Sequence, residues 1–230
     1  MKITWLGHSG FRIEIGNQIL LVDPWIDGNP VFPEDRRNDA IAGATHILVS
    51  HAHGDHITSA PKIAEELSIP VVGKVELADW LKKTKGLNTL GFNNGGTVQL
   101  GDVNVTMVAA SHSSSVNTEN GPLYLGTEAG FMIEHDGRTI YFSGDTDVMA
   151  DMAVFEDLHH PEIGLLCAGG HFTMDMKRAA YAAKKFFNFK TLIPCHYKTF
   201  PLLEQSAEVL EQQLTGVNVI EPEVLKPITL

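Results

Sequence analysis

Six consecutive residues constrain this chain more than any others: His51-Ala52-His53-Gly54-Asp55-His56, directly after the apolar run Ile47-Leu48-Val49. A short continuous apolar run of this kind predicts a buried strand. Residues at i and i+2 of an extended segment point the same way, so His51 and His53 can reach one metal ion. Gly54 is expected to let the chain turn sharply. The turn would aim Asp55 and His56 at a second ion roughly 3.5–4 Å away, the usual two-metal separation. The competing reading is a polar loop that happens to be rich in histidine, which leaves four donors in six residues after a buried strand without a reason.

Two ions need more ligands, and strand ends offer them. Strand-like residues 105–110 lead to Ser111-His112-Ser113, residues 139–142 to Ser143-Gly144-Asp145-Thr146, and residues 191–194 to Cys195-His196-Tyr197. In layered folds, groups at different strand ends converge on one edge. The chain carries eleven histidines in 230 residues. Several sit beside Gly or Asp instead of on apolar faces, which suits ligands better than core side chains.

The remaining pattern reads as strands first, then alternating strands and helices. Residues 3–6, 11–15 and 19–22 are β-branched or aromatic runs separated by Gly7, Gly10 and Gly16-Asn17, as in hairpins. A Pro- and Asp-rich loop extends to about Asn38. Helices are expected at 62–67, 75–83, 149–158, 175–187 and 202–214, and strands at 71–72, 97–109, 131–134, 139–142, 163–167, 191–193 and 217–220. Residues 135–138, His-Asp-Gly-Arg, are a hairpin signal. Phe11 to Asp23 resembles Phe131 to Asp145, two hairpins each ending on an aspartate. The expected fold is α+β, a four-layer αββα sandwich, formed by residues 1–230 as a single domain.

A net charge of -11, from 17 basic and 28 acidic residues, repels phosphate backbones at long range, so no nucleic-acid partner is expected. Two cysteines are too few for a disulfide framework. The N-terminal residues run straight into a strand pattern with no signal-like apolar segment, and no apolar stretch approaches 18 residues. These features predict a cytoplasmic protein without a membrane partner. Homo-oligomerisation stays open.

Taken in order, the H-x-H-x-D-H run, a lone His, a Gly-Asp-Thr aspartate and a late His resemble the metallo-β-lactamase superfamily over nearly the whole chain. Trp5-Leu6-Gly7-His8-Ser9, Ala110-Ser111-His112-Ser113-Ser114 and Gly169-Gly170-His171-Phe172-Thr173-Met174 resemble its small prokaryotic branch of metal-dependent hydrolases near the ascorbate-6-phosphate lactonases. The resemblance implies that His51, His53 and His112 hold one metal, that Asp55, His56 and His196 hold the other, and that Asp145 bridges them. Imidazole-rich mixed N/O sites suit Zn2+, with Mn2+, Ni2+ and Fe2+ as alternatives. Diiron relatives carry an acidic residue where this chain has His53, together with a flavin domain.

The chemistry expected is that of a dinuclear hydrolase. A metal-bridging hydroxide is a nucleophile at neutral pH and would cleave a small carboxyl derivative, a lactone or ester. Asp55 would orient it and accept its proton. The rivals are a phosphodiesterase of the same fold and a non-enzymatic, metal-stabilised binding module. A small-molecule substrate is expected either way.

Other residues carry two readings. His8, after the first strand, is read as a catalytic neighbour of the metals, with a structural turn histidine as the alternative. His171 is a substrate-pocket candidate or part of a helix-capping turn, and both readings stay open. Asp23 is read as a plain Asp-Pro turn, with a hydrogen bond to a ligand histidine as the alternative. Asp147 is expected to cap a helix, and Cys195 to be buried as a small apolar residue. His46, His135, His159 and His160 are read as structural or surface. Residues 27–38 and 113–125 are the expected pocket walls, with Phe32 and Tyr124 as candidate contacts; no cationic clamp is evident, and Arg36 and Arg37 are the residues that could provide one. Lys82, Lys83 and Lys85 read as a solvated helix face.

Overall fold

Strand alternation in the first third of the chain divides its apolar side chains between two cores. The computed structural model describes residues 1–230. The chain begins with β1 (Lys2–Trp5), β2 (Phe11–Ile15), β3 (Gln18–Val22), helix α1 (Arg37–Ile41) and β4 (His46–Val49). Helical turn α2 (Gly54–Ile57) and helix α3 (Ala60–Leu67) lead to β5 (Val71–Lys74), α4 (Val75–Lys85) and β6 (Thr89–Phe92). Leu20, Val22, Leu48 and Val72 enter one core, whereas Leu21, Ile47, Val49 and Val71 enter the other. This is the period-two pattern of strands buried on both faces.

The second half supplies β7 (Thr97–Leu100), β8 (Val103–Ala109), the hairpin β9 (Ser115–Thr118) and β10 (Gly121–Tyr124), then β11 (Ala129–His135) and β12 (Arg138–Phe142). It continues with α5 (Met152–His159), β13 (Ile163–Cys167), α6 (Met176–Phe186), β14 (Thr191–Cys195), α7 (Glu208–Gln213), β15 (Asn218–Val219) and β16 (Pro227–Thr229).

Two seven-stranded sheets result, ordered β16-β1-β2-β3-β4-β5-β6 and β15-β14-β13-β12-β11-β8-β7. In each, an antiparallel hairpin, β2–β3 or β11–β12, passes into a parallel run. Parallel neighbours need crossovers, and these carry α3, α4, α5 and α6. Ala60, Ile63, Leu77 and Leu81 cover the outer face of the first sheet. Met176, Ala179, Ala180 and Ala183 join the larger core with the second. Phe11 and Phe131 each meet Phe142 between the sheets, with ring centroids 6.2 and 6.4 Å from its own. The layering is αββα. The aspartates that end the two similar hairpins, Asp23 and Asp145, follow corresponding strands β3 and β12.

Four local expectations change. The loop through residues 27–38 gives way at Arg37 to α1. The helix expected over 202–214 forms only at Glu208–Gln213, because the preceding backbone is paired elsewhere. Leu203 bridges Gly170, and Glu204 N donates to the Gly169 carbonyl at 2.9 Å. Gly54 opens a right-handed helical turn, where a Cβ would meet only Thr58 Oγ1 at 3.5 Å. Its turn therefore does not require glycine. The segment 113–125, read as a loop, contains β9 and β10. No helix is long and apolar enough to cross a membrane.

Candidate metal centre

The parallel registers set strand ends side by side: β4 against β3, and β12, β13 and β14 against one another. His51 and His53 follow β4, and Asp55 and His56 ride on α2. His112 follows β8, Asp145 follows β12, and His196 follows β14. Gly144, at φ 58, makes the turn that presents Asp145. A Cβ there would meet the Ala129 carbonyl oxygen at 2.2 Å.

The seven sequence-predicted donors come together, six of them in two groups and Asp145 between. Donor atoms of His51, His53 and His112 lie within 4.8 Å of one another, and so do those of Asp55, His56, His196 and His8. Asp145 lies between the groups. Its Oδ2 is 3.8 Å from His51 Nε2 and 3.6 Å from His112 Nε2 on one side. On the other it is 3.2 Å from His56 Nε2 and 3.1 Å from His196 Nε2. Asp55 Oδ2 stands 3.9 and 3.8 Å from the Nε2 atoms of those same two histidines.

The donor chemistry fits divalent cations. The set is imidazole nitrogen and carboxylate oxygen, suited to zinc and its first-row neighbours. His56 Nε2 and Asp145 Oδ1 are buried without a hydrogen-bond partner, and buried polar atoms are rarely left so. Burial disfavours charge on His56, but Asp145, Asp23 and Asp55 outweigh it and raise the pKa of His56 well above the histidine value. A proton there does electrostatically what a cation would do. Burial also opposes ionisation of Asp145, and His196 and His56 outweigh it, holding the carboxyl well below its usual range. His51 is lowered by burial and then by His56. His53 and His112 are lowered chiefly by burial, which favours neutral, ligand-ready imidazoles.

A buried frame orients these donors. Asp23, completely buried, accepts from Ser50 N and from His56 Nδ1, each at 2.7 Å. The plain-turn reading of Asp23 is therefore corrected: its φ of 43 spends backbone strain on aiming a carboxylate at His56. His56 thus lies between the aspartates of the two similar hairpins. Ser50 also lies 3.0 Å from His51 Nδ1, and Glu128 accepts from the backbone N–H of His112 at 2.8 Å.

His8 is buried and left-handed (φ 52). Its Nε2 is 2.9 Å from Asp55 Oδ2 and its Nδ1 is 2.9 Å from Thr199 Oγ1. A carboxylate only accepts, so Nε2 carries the proton and Nδ1 accepts from the Thr199 hydroxyl. Burial, then the charge of His196, lowers His8 to about 4, so the ring is neutral at pH 7. Its carbonyl accepts from His196 N at 2.9 Å and from Trp5 Nε1 at 2.8 Å. Burial opposes ionisation of Asp55, but His56 and His8 overcome it and lower its pKa.

A cavity of about 580 Å3 opens beside the centre, lined by His53, Asp55, Ile57, Thr58 and, from β9, Ser115 to Asn117. The segment 113–125 thus forms a wall, whereas residues 27–38 line no part of this cavity. Phe32 is buried in the core under α1 and α3, and Tyr124 is exposed. Arg36 pairs with Asp39, and Arg37 with Asp27 and Glu66, so neither forms a clamp. A second cavity, of about 360 Å3, reaches His112 and is lined also by His171, Thr146, Asp147 and Arg178. His171 is exposed at that mouth. Asp147 caps no helix; it holds Arg178 through two 2.9 Å contacts. Cys195 is buried and free. His46, His135, His159 and His160 join neither donor group.

Thr199 and Glu128 carried no signal in the sequence, because each acts on a histidine distant in the chain; Ser50, adjacent to the histidine run, had a position that suggested a contact.

Residues 18–197 match the beta-lactamase superfamily domain. A metal-dependent hydrolase of Dinoroseobacter shibae is 64% identical over 230 residues, the full length of both chains. One of Paracoccus denitrificans is 62% identical over the same span. Among solved structures, a metallo hydrolase of the archaeon Ignicoccus hospitalis is similar at 29% identity and a TM-score of 0.86, with 99% of this chain and 97% of that chain covered.

Proposed function

This chain belongs to the beta-lactamase superfamily as a metal-dependent hydrolase, and from that premise we propose that it uses two divalent ions, zinc first, to cleave a neutral lactone or ester. His51, His53 and His112 would hold one ion, Asp55, His56 and His196 the other, and Asp145 both. Held there, the ions would supply a water acidified toward a pKa of about 7 and positive charge for a developing oxyanion.

The observation that carries the reading is the Asp55–His8 pair at the edge of an open cavity. Asp55 is ionised and partly exposed, with a side-chain accessibility of 30%, so its carboxylate can take a proton from attacking water and return it to the leaving oxygen. The His8 N–H fixes one oxygen of that carboxylate, and Thr199 fixes His8. Thr58, Ser115 and Asn117 offer hydrogen bonds to the carbonyl compound. The choice of a neutral substrate over a phosphodiester is supported by a cavity lining without Lys or Arg and by the net charge of -11.

The test is hydrolysis of matched lactones, esters and phosphodiesters by zinc-loaded protein, with Asp55→Asn checked for retained metal by elemental analysis. Ester or lactone turnover lost on Asp55→Asn with metal retained supports the reading. Full turnover by that metal-replete variant removes Asp55 from proton transfer, and preference for phosphodiesters overturns the substrate class.

A further inference from the structure

The cavity beside His53 and Asp55 shares Ile57, Thr58 and Val116 with a neighbouring cavity of about 370 Å3. Pro61, Trp80 and Leu87 complete the apolar part of that outer wall. Trp80, Leu87 and Val116 are only partly buried and pack against the core beneath α3 and α4. One side of each is held by the protein, and the other faces the cavity. Charged groups stand among them: Lys62, 3.4 Å from Asp27, Glu65, and Lys85 in the last turn of α4.

By contrast, the cavity at His112 shares no lining residue with these two and is polar apart from Phe172, with Ser111, Thr146, Asp147, Thr173 and Arg178 in its wall. The site therefore has a direction. An apolar moiety gains by leaving water only on the α3–α4 side, where a rigid indole offers a large contact surface.

We propose that the Trp80–Leu87–Val116 cavity binds the apolar tail of the substrate, making this a hydrolase of medium-chain acyl or aryl esters and lactones in preference to acetyl-sized ones. The inference rests on the hydrolytic reading for the position of the scissile bond, and on the shared Ile57–Thr58–Val116 boundary for the position of the tail. Trp80 and Val116 are specificity-determining residues here and take no part in bond cleavage. Each methylene moved from water into the cavity raises kcat/KM about three- to fourfold until the space is filled.

The experiment compares kcat/KM for p-nitrophenyl esters from acetyl to octanoyl in zinc-loaded wild type, Trp80→Ala and Val116→Gln. In parallel, the Trp80 indole N–H resonance, assigned with Trp80→Phe, is followed while octanamide or acetamide is added. The expected result is a rising chain-length profile in the wild type, with the octanoyl-to-acetyl ratio at least tenfold lower in both variants. Octanamide shifts the Trp80 signal and acetamide does not. A flat wild-type profile with no octanamide shift overturns the tail site while leaving ester hydrolysis intact. An octanamide shift without cleavage of any ester supports the tail site and overturns the ester reading of the centre. Silence in both arms overturns both. Val116 sits on the β9 hairpin, outside α4, so its variant keeps the test decisive if Trp80→Ala fails to fold.

Discussion

Replacing Asp23 with Asn tests the buried frame behind the centre. Asp23 accepts from Ser50 N and His56 Nδ1 at 2.7 Å each, and its side chain is inaccessible to water. Asparagine keeps an acceptor for Ser50 N but turns an N–H2 group toward His56. His56 must then carry its proton on Nε2, the atom 3.2 Å from Asp145 Oδ2 and the one proposed to bind metal. Losing one such orienting partner typically weakens metal binding 10- to 100-fold, about 1.4–2.7 kcal/mol. Loss of a charge-assisted hydrogen bond costs the metal-free protein about 1.5–3 kcal/mol. For a chain of this size that lowers Tm by about 3–12 °C. Zinc competition against a chromophoric chelator gives the affinity, and thermal melts followed by circular dichroism give the stability. A variant that loses stability but binds zinc within twofold of wild type would refute orientation of His56 by Asp23.

Three further outcomes follow from the geometry. Lowering His8 from 6.5 to about 4 means the unfolded chain binds a proton there that the folded chain refuses. Its contribution is therefore intact above pH 6.5 and is lost as pH falls toward 4, by about 3 kcal/mol. Chemical denaturation of metal-free wild type and His8→Gln at pH 7 and pH 4.5 measures it, and equal pH dependence in the two proteins would discount His8. Gly169→Ala should prevent correct folding around His196, because the added Cβ would meet the His196 carbonyl oxygen at 1.8 Å. Gly54→Ala should instead be neutral or stabilising by about 0.5–1 kcal/mol, and soluble yield with melting temperature separates the two. Cys167, pushed up to about 12 by burial and then by Asp145, and Cys195, raised by burial, should resist a thiol reagent in native protein. Both should react once denaturant is added, and modification of the native protein would place a thiol at the surface.

The strands most legible in advance were those whose side chains sort by local alternation or by apolar continuity. Residues 11–15 and 163–167 coincide with β2 and β13, and the turn at His135 to Arg138 joins β11 to β12. The elements that went unread are those held by partners outside their own segment. Strand β16 exists because it pairs with β1 across the whole chain, and the chain before α7 stays non-helical where Leu203 and Glu204 pair with Gly170 and Gly169. Phe32 and Tyr124 show the same limit: an aromatic residue in a polar segment can turn into a core or out to solvent, and neighbours in sequence do not decide which.

By itself the sequence named the candidate donors, since the H-x-H-x-D-H spacing and three further strand ends are local features of chain chemistry. It also determined the αββα layering, through the change from hairpins to alternating strands and helices. Only the tertiary structure decided how those donors are oriented. His56 is aimed by Asp23, 33 residues away, Asp55 by His8, 47 away, and His8 by Thr199, 191 away. Hydrogen bonds act over about 3 Å, and which residues come that close depends on the packing of two sheets, a property that no stretch of the chain carries alone.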